Sequence, residues 1–193
     1  MRGSRQRCWR AQVFRNVFSM TNQTLRGDCA RCAALCCVAL AFDQSELFAF
    51  NKPPGEVCRH LDQCGRCAIH LKLAKKGFAG CSQYDCLGAG QRVTQEIFGG
   101  ATWLEQPSLL GPMSRAFSLV YRLHVVLELL DQARRLQLSE EEVRTLNILE
   151  NETQTLASAA ATARTTEAIE ARVQAFLRTL KHRVATTRKV DAL

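Results

Sequence analysis

Cysteine is the residue type that stands out, because ten are present and nine of them lie between Cys29 and Cys86. The first four are closely spaced, in the order Cys29, Cys32, Cys36 and Cys37. A C-x-x-C turn brings two sulfurs within reach of one metal ion, where backbone N–H groups can hydrogen-bond the thiolates. Unligated thiols at this density would be prone to oxidation. The cluster therefore predicts metal ligation.

A second set of cysteines follows in the same segment, and it contains another C-x-x-C pair at Cys64 and Cys67. Zinc binds four thiolate or imidazole ligands in a tetrahedron, and a [4Fe-4S] cluster also takes four thiolates. The cysteine count is sufficient for two sites, or for one site with additional structural or redox thiols. Spacing alone leaves both readings open, as well as the choice between iron and zinc.

The segment from Cys29 to Cys86 resembles the bacterial cysteine-cluster family of zinc- or iron-chelating proteins, whose signature is C-x-x-C-x-x-C-C. The flagellin lysine N-methylase carries a similar cluster. The likeness rests on the first cluster, on Cys58-Arg59-His60-Leu61 and on Gly65-Arg66-Cys67-Ala68-Ile69, with Cys81 and Cys86 behind them. The resemblance implies eight metal ligands: Cys29, Cys32, Cys36, Cys37, Cys58, Cys67, Cys81 and Cys86.

This chain departs from the family pattern at a few positions. One extra residue lies between Cys32 and Cys36, His70 stands where the family often has tyrosine, and Cys64 has no counterpart and is left out of the predicted set. The stretch 77–91 is also similar to the leading segment of some pentapeptide-repeat proteins, but no such repeats follow.

Other polar residues near the cysteines are assigned ordinary structural roles. His60 and His70 have usable zinc spacing, yet we expect a packed or solvent-facing imidazole at each. We expect Asp85 to cap a turn. Gly88-Ala89-Gly90 lacks the third glycine and the preceding strand of a phosphate cradle. Farther along, His124 is expected in a helix core and His182 in solvent.

Composition indicates the class of protein and its compartment. Hydrophobic residues make up 47% of the chain, which is enough for a folded core. The apolar run 33–42 begins too far into the chain for a signal peptide and is shorter than the roughly 20 residues of a membrane span. We therefore expect a cytoplasmic protein without membrane contact, where clustered cysteines more often bind metal than form disulfides.

The net charge of +8 is concentrated at the two ends of the chain. Basic ends can contact nucleic acid. We expect solvated termini instead, and therefore no nucleic-acid partner. Met20 is a candidate for the true translation start, and an Arg-rich presequence over the first residues is the rival hypothesis.

We predict a mainly α fold, with a small cysteine-rich metal-bound domain followed by an antiparallel helical bundle. The predicted divisions are a basic N-terminal extension over 1–28, a cysteine-cluster domain over 29–90, a connector over 91–113 and a helical domain over 114–193. Turn-forming residues punctuate the cysteine block, where 68–76 is predicted as a short helix ended by Gly77. Glycines and prolines argue against a long element in the connector.

Three amphipathic helices are predicted in the last part of the chain. The first covers 114–136 with Ser114 as N-cap. The second starts at a capping box from Ser139 to Glu142, and the third starts near Thr166. Their apolar stripes are most simply core, although one could serve as a face for a protein partner.

The predicted function is metal binding without autonomous catalysis. An iron–sulfur cluster or zinc would either hold the fold together or carry redox or sensory chemistry. One alternative is an iron–sulfur-dependent enzyme like the protein-lysine methyltransferase, although a glycine fingerprint for the methyl donor is lacking. The other is a helical adaptor whose basic ends contact nucleic acid.

Overall fold

The structure is a computed structural model that describes residues 25–159 and 161–183. The basic extension up to residue 24, Cys8 within it, and the predicted basic tail beyond residue 183 lie outside the described residues. The described chain is mainly helical, which confirms the predicted fold class. It forms two compact units, which divide between Phe117 and Ser118.

The first unit is built from short elements. Its α-helices are α1 (Cys36–Ala39), α2 (Ala79–Gln83) and α3 (Ala89–Arg92). Helix α3 continues directly into a π-helical segment, Val93–Ile97. The remaining turns are 3₁₀ in type and span Cys29–Arg31, His70–Lys72, Ala74–Lys76 and Pro107–Leu109.

Two isolated antiparallel bridges cross the loops of the first unit. They pair Phe42 with Lys52 and Leu61 with Cys67. An aromatic group packs beside the first bridge, where the Phe42 and Phe48 rings stack with centroids 4.3 Å apart. Phe78 packs against both Phe42 and Phe50. The loops therefore share one small aromatic core in place of long helices or strands.

The short helix predicted over 68–76 is replaced by two 3₁₀ turns, while its predicted end is correct. Gly77 terminates the second turn with φ 79°, the left-handed conformation that glycine adopts without a Cβ clash.

The first long helix begins earlier than predicted. Helix α4 covers Leu110–Arg134, so Ser114 lies inside it and the prediction of Ser114 as N-cap is wrong. Pro107 opens the preceding 3₁₀ turn, where its fixed φ suits a helix start. Pro112 is accommodated in the first turn of α4, although proline in a helix interior would break the backbone hydrogen bonding.

The second unit contains the rest of α4 together with α5 (Glu140–Ser158) and α6 (Ala163–Thr179). Glu142 pairs with Arg183, and Glu152 pairs with Arg172. The earlier residue of α5, Glu142, pairs with the later residue, Arg183, and the later residue of α5, Glu152, pairs with the earlier one, Arg172. The chain from α6 onward is therefore antiparallel to α5. The three helices share one apolar core, which consists of Leu123, Val126, Leu130, Ala133, Leu146, Leu149, Ala157, Ile169, Val173, Phe176 and Leu180.

Local capping signals set the starts of the last two helices. The capping box predicted at Ser139 is confirmed: the Ser139 side chain accepts from the Glu142 N–H, and Glu142 Oε2 accepts from the Ser139 N–H at 2.7 Å. Helix α6 starts at Ala163 with Thr162 as N-cap, about one turn before the predicted start at Thr166. His124 is buried in its helix, as predicted.

Within the part of the chain that the structure describes, none of the helices combines the length and the apolar character needed to cross a bilayer.

Candidate metal centre

The first cysteine cluster begins in a tight turn, and a short polar side chain caps the start of this turn. Asp28 Oδ1 accepts a hydrogen bond from the Ala30 N–H, and the Cys32 N–H closes the 3₁₀ turn onto the Cys29 carbonyl at 3.4 Å. Ala34 then adopts a left-handed φ of 56°, which is unfavourable for a residue with a Cβ. This reversal lets α1 begin at Cys36.

Helix α3 and its π-helical extension hold this turn from one side. The buried Thr94 hydroxyl accepts a hydrogen bond from the Ala33 N–H at 3.0 Å and donates to the Gly90 carbonyl at 2.9 Å. Trp103 Nε1 donates to the Ala33 carbonyl at 2.7 Å. Both backbone groups of Ala33, between the cysteines of the cluster, are therefore fixed by side chains from more than 60 residues away.

Cys86 reaches the same neighbourhood from the end of the cysteine segment. A Cβ placed on Gly90 would lie 2.5 Å from the Cys32 sulfur and 3.8 Å from the Cys86 sulfur. The two sulfurs therefore flank the bare backbone of Gly90. Asp85 caps the adjoining turn, as predicted, by accepting from the N–H groups of Leu87 at 2.8 Å and Gly27 at 3.1 Å.

A second group of cysteines is connected to α1 through backbone hydrogen bonds. The Cys58 N–H donates to the Cys37 carbonyl at 2.9 Å, and the Gly55 N–H donates to the Val38 carbonyl at 3.0 Å. Cys67 is connected to the same loop, because its backbone pairs with that of Leu61 in an antiparallel bridge. The loop that carries Cys58 is therefore pinned to the helix that carries Cys37.

Burial and neighbouring thiols govern the acidity of the cysteines. Burial raises the pKa of Cys32 to about 12, and the charges of Cys36, Cys86 and Cys29 add to this rise. Burial also raises the pKa of Cys81 to about 11, with contributions from Cys36, Cys58 and Cys67. These thiols are accordingly protonated at neutral pH without a metal.

Cys36 acts on both groups of cysteines, the first around Cys29 and Cys32 and the second that includes Cys67. Its contact with the Cys37 side chain, followed by burial, raises its pKa well above the ordinary value. Burial raises the pKa of Cys29 and of Cys67, and the charge of Cys36 adds to the rise at both. Cys36 therefore acts electrostatically on thiols that come from different parts of the chain.

The eight cysteines of the predicted ligand set are all free thiols. Cys64, which the prediction left out, is disulfide-bonded. Within residues 25–159 and 161–183, no three His, Cys, Asp or Glu side chains form a group that could hold a metal ion as they stand. The ligand set therefore stays a prediction, and ligation would require the side chains to turn toward a common ion.

The histidines near the cysteines take structural positions. The His60 ring packs against Phe50 and Phe78, with centroid distances of 5.8 and 5.0 Å. His70 is exposed in a 3₁₀ turn. Both positions agree with the packed and solvent-facing roles expected from the sequence.

Lys52 is a buried cation that sequence reasoning missed. Its side chain is only 3% exposed, and its ammonium donates to the carbonyls of Val38 at 2.9 Å and Leu40 at 2.5 Å. Burial lowers its pKa, whereas the charges of Cys58 and Cys37 raise it. A lysine inside a run of turn formers gives no sequence signal of burial.

Comparisons with known proteins give one relative of known sequence. Over 116 residues the chain is 40% identical to the Bacillus subtilis (strain 168) protein described as uncharacterized protein YybG. The match covers 60% of this chain and 42% of YybG, so it spans less than half of the relative's length. No protein-family model matches the chain. No solved structure matches it either.

Proposed function

We propose that the first unit is a metal-binding module of the bacterial cysteine-cluster type, in which the eight free cysteines hold zinc or an iron–sulfur cluster through their thiolates. The observation that carries the proposal is the approach of the Cys32 and Cys86 sulfurs to the backbone of Gly90, in a unit with eight free cysteine thiols. Thr94 and Trp103 fix the backbone of Ala33, directly after Cys32. Packing alone does not call for free thiols at this density.

The energetic role of the metal follows from the small size of the first unit's elements. Among its described residues, from position 25 onward, the longest α-helix before α4 has five residues, and the only β pairing is in isolated bridges. Short segments of this kind bury little apolar surface, and metal–thiolate bonds supply stability that such a core lacks. The metal is accordingly proposed to hold the loops together, and the module is not proposed to act as a catalyst.

The chemistry of loading is an exchange of protons for metal. The buried thiols are protonated in the metal-free protein because their pKa values are raised. A thiolate-bound metal requires those protons to leave, so binding releases protons and strengthens as the pH increases. The eight thiols are available to a metal where they stay reduced, and we propose the bacterial cytoplasm as that compartment; Cys64, which is disulfide-bonded in this structure, would be reduced there as well.

Thermal unfolding with and without a strong chelator tests the structural role. Chelation should lower the transition of the first unit by at least about 5 °C, the shift expected per kcal/mol for a unit of this size, while the helical unit unfolds as before. Cys32→Ser should reproduce much of this shift without chelator. Cys64→Ser is the matched control when both proteins are kept under reducing conditions, which open the disulfide of Cys64 in the wild type too, and its metal content should equal that of the wild type.

Two results would count against the proposal. One is a melt that neither chelator nor Cys32→Ser alters. The other is an equal loss of metal in the Cys32→Ser and Cys64→Ser proteins.

A further inference from the structure

The ammonium of Lys52 is held in place by the backbone around the Cys37 side of the cysteine cluster. Lys52 pairs with Phe42 through two backbone hydrogen bonds, of 2.8 and 3.0 Å. From this position its side chain turns inward and donates to the carbonyls of Val38, Leu40 and Pro53. Val38 belongs to α1, directly after Cys37. The cation therefore occupies a defined position beside the helix that carries two predicted ligands.

The charge of this ammonium is not neutralised by an ion pair. No carboxylate in the described segments lies within salt-bridge distance of Lys52, whose side chain is 3% exposed. Glu56 acts on it only at longer range, with a smaller influence than that of Cys58 and Cys37. Burying a charge is costly unless it is paired or hydrogen-bonded. The carbonyls meet part of that cost. The Val38 carbonyl that accepts from the ammonium follows directly on the Cys37 carbonyl, which accepts from the Cys58 N–H at 2.9 Å, so the backbone of two predicted ligands lies beside the cation.

We propose that Lys52 is a charge-compensating residue of the metal centre, one that favours the anionic, metal-loaded state of the neighbouring cysteines. This inference rests on the proposed function. Four thiolates around Zn²⁺ carry a net charge of −2, and four thiolates around an iron–sulfur core also give an anionic centre. A fixed positive charge in a low-dielectric position stabilises such a centre more strongly than a solvent-exposed lysine does.

Charge compensation and mere structural support make different predictions for the same substitution. A lysine that only ties three carbonyls together stabilises the metal-free and the metal-loaded protein equally. A lysine that balances thiolate charge stabilises the loaded protein more, because metal binding converts the ligand thiols to thiolates and releases their protons. The difference between the two losses of stability equals the change in metal affinity by linkage.

The experiment measures zinc affinity by competition with a chromophoric chelator, and unfolding with and without zinc, in the full-length chain. Lys52→Met should lower zinc affinity by about 10–100-fold, the usual cost of removing a group that supports metal ligands. It should destabilise the zinc-loaded protein more than the metal-free one. Lys75→Met, which removes an exposed lysine of the same unit, should leave affinity unchanged. Should Lys52→Met fail to fold, Lys52→Gln retains an N–H donor for the carbonyls and gives the same comparison.

The outcomes separate the two proposals. Wild-type affinity in a folded Lys52 variant, or an equal loss of stability with and without zinc, would overturn the compensating role and leave metal binding intact. A wild-type protein that binds neither zinc nor iron would instead overturn the proposed function itself.

Discussion

Gly90 shows how closely single atoms are fitted around the first cysteine cluster. Its bare Cα lies between the sulfurs of Cys32 and Cys86, and its carbonyl accepts the Thr94 hydroxyl. The glycine does not have a positive φ, so the residue is required by the space available and not by backbone conformation. The close approach of sulfur to backbone at this point depends on the absence of a side chain.

Gly90→Ala should therefore destabilise the first unit. The new Cβ would lie 2.5 Å from the Cys32 sulfur, which must move away. We expect a loss of about 1–3 kcal/mol, typical of overpacking, together with weaker zinc binding. Chemical denaturation followed by circular dichroism measures the loss of stability, and chelator competition measures the zinc affinity.

Gly111→Ala provides a control within a helix, where the nearest atom to the new Cβ is a flexible arginine nitrogen at 3.3 Å. It should cost less than Gly90→Ala, because its close contact is with a flexible side chain, and the mild penalty for a Cβ before Pro112 offsets the helix preference of alanine. Equal effects from the two substitutions would show that the contact with Cys32 is unimportant.

The residues of the candidate site were predictable from sequence only where their type carried the signal. The spacing of the cysteines and the resemblance to a family predicted eight metal ligands, which are free thiols here and whose ligation stays a prediction. Asp85 was correctly predicted as a turn cap. Lys52, Thr94 and Trp103 were not predicted, because their roles arise from contacts with residues distant in sequence. A buried lysine or threonine has the same appearance in the sequence as an exposed one.

At the scale of elements, α3 and its π-helical extension act as a clamp on the segment that carries Cys29 and Cys32. Gln91 Nε2 donates to the Arg26 carbonyl, Thr94 accepts from the Ala33 N–H, and Gln95 Nε2 donates to the Arg31 carbonyl. The three side chains thus hold the backbone between Arg26 and Ala33, which includes the 3₁₀ turn Cys29–Arg31. The position of the first cysteine cluster is therefore determined by a helix about 60 residues farther along the chain.

Thr94→Val tests this clamp. Valine has nearly the shape of threonine but leaves the buried Ala33 N–H without its acceptor, which should cost about 1–3 kcal/mol. Thr94→Ser keeps the hydroxyl and should restore most of the stability. Hydrogen exchange at the Ala33 amide gives a local readout. If both variants exchanged as slowly as the wild type, the hydrogen bond would not hold the cluster.

The ends of helices illustrate which elements a sequence reveals. The capping box at Ser139 was predicted correctly because all of its determinants lie within four residues. The start of α4 was missed, since Pro107 opens a 3₁₀ turn that leads into the helix and Pro112 is tolerated in its first turn. Local motifs identify a helix start, whereas a helix that continues past glycine and proline depends on packing by buried residues such as Met113 and Phe117.

Ser139→Ala should remove one side of the capping box and destabilise the helical unit by about 1 kcal/mol. Thr155→Ala, an exposed position inside α5, should be neutral or slightly stabilising because alanine is the better helix former. Urea denaturation of the full-length proteins, followed by far-ultraviolet circular dichroism, compares the two. A stable Ser139→Ala protein would show that tertiary packing alone sets the start of α5.

On the scale of the whole molecule, the two units obtain their stability in different ways. The helical unit buries a continuous set of aliphatic side chains and carries several ion pairs across its helices. The cysteine unit relies on an aromatic group, on side-chain hydrogen bonds to backbone and, as proposed, on metal. A mainly helical protein was predictable because helical periodicity is read locally. The folding of the cysteine segment was not, since its loops are joined by contacts between distant residues.

The central claim is that the free thiols of the first unit share a metal, and metal content measures this most directly. Thiol alkylation is less decisive, because burial alone raises the pKa of Cys32 and Cys81 and slows their reaction. Protein purified without oxygen should contain zinc, or iron with acid-labile sulfide, in a fixed ratio to the chain. Cys32→Ser should lower that ratio and Cys64→Ser should not. Oxygen-protected wild-type protein that is folded yet contains neither zinc nor iron would contradict the account.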